Sequence, residues 1–244
     1  MGSFFDMHVH TTAGSPDSSL SPRELVTEAR RIGLTGVVVT EHNGWPRHDF
    51  EDFARDLDIV LIRANEVYTN MGHVITLGQD KFAGMVTRVE DLRRAVDSVG
   101  GFMIIAHPFR YLFEPSGILS RNVLYEDPNG VPATPQEAAE HPIFRLVDAI
   151  EVVNGANNVV ENRFAQEVAA ALGLKGTGGS DAHSRQGIGL GSTMFHGYVR
   201  SEKDLMEALR EGAFTPCYGF NKKQVDFYGE APALYGSTAP ENPA

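Results

Sequence analysis

Residues 19–42 read SLSPRELVTEARRIGLTGVVVTEH. Ser21 is followed three residues later by Glu24, the capping-box spacing, and Pro22 suits the first turn, so a helix begins here. The helix leads into GVVVT (36–40), a β-branched run that fits a strand buried on both faces. Glu41 and His42 stand immediately after it. Apolar strands alternating with helices, and polar residues at strand ends, are met again further along the chain.

Apolar runs recur as SFFDMHVH (3–10), DIVLIRA (58–64), HVITLG (73–78), GFMIIA (101–106), VDAIEVV (147–153), LKGTG (174–178) and STMFHGYV (192–199). Thr87 with Glu90 and Thr134 with Glu137 repeat the capping-box spacing, and Pro135 repeats the first-turn proline. Further helices are predicted over 158–172, ending at Gly173, and from Ser201 to about Arg210. Strands alternating with helices predict an α/β fold with a mainly parallel sheet, open or closed.

The 244 residues suffice for one full core, and no internal repeat or linker divides them. One domain is expected over 1–220, with an irregular tail from 221 to 244. The turn-rich segment 111–135 reads as an insertion loop near the site. No run approaches the roughly 18 to 20 apolar residues of a spanning helix, so no membrane partner and a cytoplasmic location are expected. Cys217 is the sole cysteine; it permits no internal disulfide, and in a late, unclustered stretch it is assigned no chemical role. Any metal must therefore be held by His, Asp and Glu. The formal charge of −11, from 21 basic and 32 acidic residues, disfavours tracking long duplex nucleic acid through a basic groove. A small anionic substrate is compatible with that charge if bound cations reverse its sign locally.

The polar residues fall at strand ends. His8 and His10 close the first run, Glu41 and His42 follow the second, Glu66 follows the third, His107 follows GFMIIA, and Asp181 and His183 follow LKGTGGS. In parallel α/β architectures, residues just beyond the C-terminal strand ends meet on one face. Of nine histidines, His8, His10, His42, His73, His107 and His183 belong to these positions or lie just past them, whereas His48, His141 and His196 do not. A single strand-end histidine reads as a hydrogen-bonded structural residue. Six beside carboxylates read as a metal site, because so many uncompensated polar groups in one place would cost several kcal/mol. Residues i and i+2 of a strand point to one side, so HVH aims two imidazoles at one point, as the same spacing does for Asp181 and His183. Glu66 has two oxygens with which to bridge two cations. The nitrogen and oxygen donor mixture suits zinc, manganese or iron.

The ordered pieces DMHVHT, VVVTEHN, ANEVYTNMGHVITLG, IIAHPFR, IEVVNG and GGSDAH, spread over residues 6–183, resemble the polymerase and histidinol phosphatase (PHP) domain of metal-dependent phosphoesterases. The resemblance implies a distorted (β/α)7 barrel with two or three divalent metals at its C-terminal face. Carried over by position, His8, His10 and Asp181 would bind a first metal, bridged by Glu66 to a second that His73 and His107 also hold. Asp17, His42 and His183 would hold a third. Two departures stand out: Glu41 replaces the family's usual Asp and is expected either to orient His42 or the loop or to be a solvated strand-end carboxylate, and the loop before Asp17 is one residue longer.

Such a site implies hydrolysis at phosphorus by water activated on the metals, with no protein nucleophile. Glu66, His107, Asp181 and His183 are the residues expected to carry catalysis. Arg110, Arg185 and Arg163 are candidates for phosphate recognition, each against the reading of an ordinary surface arginine. Asn154 is a candidate substrate contact or a turn residue. The aromatic residues after Arg110 suit a nucleotide base or the core. The expected substrate is a small phosphorylated metabolite: a nucleotide monoester, a cyclic phosphate or a short oligonucleotide 5′ end. Histidinol-phosphate phosphatase and a non-catalytic domain binding a phosphorylated effector are the alternatives.

Overall fold

Val37, Val38 and Val39 divide between two cores: Val38 packs with Phe5, Met7, Ile62 and Ile104, while Val37 and Val39 pack with Leu25, Ala29 and Phe50. That alternation is what a strand covered on both faces requires. The computed structural model describes residues 2–79, 87–113, 122–125 and 130–229. The strands are β1 (Ser3–Val9), β2 (Gly36–Glu41), β3 (Val60–Thr69), β4 (Gly72–Leu77), β5 (Phe102–Ile105), β6 (Ala149–Asn154), β7 (Lys175–Gly179), β8 (Gly191–Phe195), β9 (Phe214–Tyr218) and β10 (Asp226–Phe227). The helices are α1 (Pro22–Ile32), α2 (Arg47–Ala54), α3 (Val89–Asp97), α4 (Pro135–Ala139), α5 (Val159–Leu172) and α6 (Glu202–Glu211).

β1 to β7 lie side by side in chain order, and β8, β9 and β10 extend the sheet beyond β1. The sheet curls until the chain leaving β7 returns to β1, where Asp181 donates its N–H to the His8 carbonyl (2.7 Å) and His10 donates to that of Ala182 (3.0 Å). This is a distorted barrel. α1 and α2 pack on the outer face of the first strands, α3 and α5 on that of the later ones, and Leu205 and Leu209 of α6 join the inner core.

The expected mainly parallel sheet needs correction. β4 runs antiparallel to both β3 and β5, and β8, β9 and β10 are also antiparallel. Only Asn70 and Met71 separate β3 from β4, and so short a link can only reverse the chain. The reversal matters, because it sets Tyr68 opposite His73 and lays the Glu66 side chain beside the His73 imidazole.

Ser21 makes the full capping box with Glu24, and Thr134 accepts from the Glu137 N–H. Thr87 does not cap a helix: it donates its N–H to Tyr68 (2.9 Å) in a bridge to β3, and α3 begins at Val89. The Asn70 side chain takes over, accepting from the Val89 N–H at 2.8 Å. α5 is capped by Asn158 with Glu161 and ends at Gly173, and α6 is capped by Ser201.

The tail was expected from residue 221, but Asp226 and Phe227 pair with Tyr218 and Cys217. Residues 230–244 lie outside the described residues, as do 114–121 and 126–129 of the expected loop at 111–135. No helix among the described residues is long and apolar enough to cross a membrane. Cys217 is buried, and burial, followed by the charge of Asp6, pushes its thiol up to about 12. A thiol reagent at pH 8 should leave the folded protein unlabelled and react once it is unfolded; fast labelling of the folded protein would contradict this packing.

Candidate metal centre

Four donor atoms from three parts of the chain crowd together at the end of β1. His8 Nε2 and His10 Nε2 are 3.0 Å apart. Glu66 Oε2 lies 3.5 and 3.3 Å from them, and Asp181 Oδ1 lies 3.4 and 3.3 Å from them. A point equidistant from three donors with separations of that size, as in His8–His10–Glu66 or His8–His10–Asp181, is about 2 Å from each, the length of a zinc–nitrogen or zinc–oxygen bond. The donor set and its dimensions therefore fit a divalent cation.

The other Glu66 oxygen, Oε1, faces a second group, 3.2 Å from His73 Nδ1 and 2.9 Å from His107 Nε2. A third group lies on the open side, where Asp17 Oδ2 is 3.3 Å from both His42 Nε2 and His183 Nε2. Glu66 Oε2 is also 3.4 Å from His42 Nδ1. All nine expected ligand side chains thus come together in three adjoining groups joined through Glu66.

The backbone bends to make this convergence. Of the five non-glycine residues with positive φ among the described residues, His107 (30°), Tyr111 (60°) and Asp181 (54°) are in or beside the site. Such conformations cost of order 1–3 kcal/mol each and persist where surrounding structure enforces them. At Gly179 a Cβ would lie 2.4 Å from the His8 Cβ and 2.8 Å from Glu151 Oε1, so only glycine admits the His8 side chain against β7.

Partners behind the ligands orient them. His8 Nδ1 is 3.0 Å from Glu151 Oε1, and His10 Nδ1 is 3.1 Å from Ser15 Oγ. Ser15 in turn donates to Glu41 Oε2 at 2.5 Å. If Nδ1 carries the hydrogen in both rings, both Nε2 lone pairs face the cluster, the tautomer that metal ligation requires. Glu41 also accepts from the N–H and hydroxyl of Thr11. Of the expected roles for Glu41, the contacts support holding the loop, and through Ser15 they reach the His10 ring; the His42 N–H also meets Ser15 Oγ, at 3.1 Å. Glu151 has a second function: its Oε2 accepts from the His107 N–H (2.8 Å) and Asn154 Nδ2 (2.9 Å). Buried Asp6 accepts from the N–H groups of His8, Ser180 and Gly189, and burial pushes its carboxyl up to about 6.

Burial opposes charge on the His8 and His10 imidazoles, but Glu151, Asp181 and Glu66 outweigh it around His8, and Asp181 and Glu66 do so around His10, raising both. Burial likewise pushes the Glu66 carboxyl up, but His8, His10, His107 and His73 hold it well below the usual range. Protons in the metal-free protein and cations in a loaded one are alternative ways of neutralising the same carboxylates.

The candidate substrate residues divide. Arg110 Nη2 is 2.5 Å from Asp181 Oδ2 and 2.7 Å from Asn154 Oδ1, with Nε 2.9 Å from Asn157 Oδ1. It stands beside the first group with its side chain 19% exposed. Asn154, fully buried, holds both Arg110 and Glu151. Arg185 is turned to Glu28 of α1, and Arg163 is exposed on α5 against Glu167; neither is brought to the cluster. Glu151, Ser15 and Tyr68 were not singled out from the sequence. Glu151 left a signal, because a carboxylate inside an apolar strand buried on both faces must have a partner.

The barrel has known counterparts. It resembles a two-domain protein from Bacteroides vulgatus ATCC 8482 that contains a predicted PHP-like metal-dependent phosphoesterase, with TM-score 0.65 and 22% identity over 89% of this chain and 65% of that one. It also resembles a candidate metal-dependent phosphoesterase from Bifidobacterium adolescentis ATCC 15703, with TM-score 0.56 and 16% identity over 85% of this chain and 96% of that one. This is a PHP-type fold. An amidohydrolase from Chromobacterium violaceum shares it, with TM-score 0.56 and 14% identity over 84% of this chain and 96% of that one. A family profile described as PHP-associated matches residues 160–214, and no curated protein matches the chain. The chain spans just under two thirds of the Bacteroides protein. In the PHP-type barrel of this chain, the three donor groups lie where β1, β2, β5 and β7 finish and on the β3–β4 hairpin.

Proposed function

We propose that this protein is a metal-dependent phosphoesterase acting on small phosphorylated metabolites. The observation that carries the reading is the position of Glu66, with one oxygen beside His8 and His10 and the other between His73 and His107. Divalent cations in such groups lower the pKa of bound water to about 7 and offset the charge of a phosphoryl group in its transition state. His8, His10, Glu66 and Asp181 would hold one cation, Glu66, His73 and His107 a second, and Asp17, His42 and His183 a third. Arg110 supplies a fixed positive charge at the edge of the first group, where it would orient a phosphate oxygen. Two of the protein's structural counterparts are described as a metal-dependent phosphoesterase or as containing one, which agrees with this chemistry.

Within that class we favour nucleotide monoesters, cyclic phosphates or short oligonucleotide 5′ ends. Tyr111 and Phe113, directly after Arg110, are each more than a third exposed, while Leu112 between them is buried. Exposed aromatic rings next to a phosphate-binding arginine suit a base. The test is to strip the protein with chelator, reload it with manganese or zinc, and assay an aryl phosphate, a nucleotide panel and histidinol phosphate. Metal-dependent turnover with preference for nucleotides is expected. Preference for histidinol phosphate would replace the substrate, and metal binding without turnover of any ester would overturn the enzyme reading.

A further inference from the structure

Tyr68 belongs to neither the ligand set nor the shell that orients it, yet it stands in the mouth of the site. It is two residues beyond Glu66 on β3, so both side chains project from the same face about 6 to 7 Å apart along the strand. Its ring stacks on His42 at 5.1 Å between centroids and 21° between planes, and meets His73 edge-on at 4.4 Å and 89°. The phenol thus spans the gap between the second and third donor groups, above the carboxylate that joins them. Glu66 is buried, whereas Tyr68 is 43% exposed. Among the described residues no hydrogen bond engages its hydroxyl. The charges of Glu66, Asp17 and Asp181 all act on that hydroxyl, which places it in the field of all three groups. A phenol keeps its hydrogen at neutral pH and is therefore a donor facing a region where the protein supplies mostly carboxylates and imidazoles.

We propose that Tyr68 is a substrate-contacting residue, donating its phenolic hydrogen to an oxygen of the phosphoryl group bound over Glu66. The inference rests on the phosphoesterase reading and adds a second donor to Arg110: Arg110 stands at Asp181 of the first group, Tyr68 at His42 and His73 of the other two. A purely structural Tyr68 would act only through its ring, packing the His42 and His73 imidazoles in place. Tyr68→Phe separates the two, since it keeps the ring and removes the hydroxyl.

The test uses the full chain loaded with manganese, with inorganic phosphate affinity read by calorimetry and metal content by mass spectrometry. Tyr68→Phe should bind phosphate about tenfold more weakly, as loss of a hydrogen bond to a charged acceptor requires, with unchanged metal content. Unchanged phosphate affinity, or a loss of metal, would overturn the proposal and leave the ring's packing as its role. Wild-type protein that binds phosphate but turns over no ester would refute the phosphoesterase reading alone, and wild-type protein that does neither would overturn both.

Discussion

Glu66→Gln is expected to lower kcat/KM for an aryl phosphate about a thousandfold or more, or about 4 kcal/mol of transition-state stabilisation. The substitution keeps shape and removes charge. Glu66 is the carboxylate whose two oxygens reach all three donor groups, with Oε2 within 3.5 Å of His8, His10 and His42 and Oε1 within 3.2 Å of His73 and His107. Glutamine would turn an amide NH₂ toward one of these groups, where a donor repels a cation. His107→Ala should give a loss of similar size by emptying one position of the second group. Far-UV circular dichroism should show both variants folded, because the strands that carry these residues are fixed by cores on both faces. A Glu66→Gln enzyme with the wild-type rate would contradict the assignment of the bridge.

Glu151→Gln should weaken metal binding 10- to 100-fold, the usual scale for residues that orient ligands. Glu151 accepts from three hydrogens: His8 Nδ1, the His107 N–H and Asn154 Nδ2. A glutamine has one acceptor oxygen, so its NH₂ must meet at least one of these donors. Facing the His107 N–H or Asn154, it leaves a buried clash of hydrogens. Facing His8, it forces the ring into the other tautomer, with Nε2–H pointing into the first group. Zinc titration of the chelated protein measures the loss, and nitrogen-15 spectra of the His8 ring report its tautomer. Unchanged zinc affinity would mean that Glu151 does not govern His8.

The strands, the capped helices and the gathering of strand-end histidines and acids were legible because each leaves a local trace. Fully apolar runs need cover on both faces, Ser21 and Glu24 sit at fixed spacing, and HVH obeys the two-residue period of a strand. Strand direction leaves no such trace. HVITLG reads the same whether parallel or antiparallel, and only the two-residue link at Asn70 and Met71 decides it. Spacing also misleads where tertiary contacts compete: Thr87 has its glutamate at the capping position, but its backbone is committed to β3 and Asn70 caps the helix instead. Glu151 escaped because its partner, His8, is 143 residues away. Arg110 and Arg163 look alike in sequence, and only the fold separates the one pinned to Asp181 from the one exposed on α5.

Anomalous diffraction from crystals of the manganese- or zinc-loaded protein tests the central claim most directly. A peak within coordination distance of His8 Nε2, His10 Nε2, Glu66 and Asp181, with a second beside His73 and His107, is the expected result. A map in which metal occupies neither position while the loaded protein still hydrolyses phosphate esters would show that the chemistry resides elsewhere.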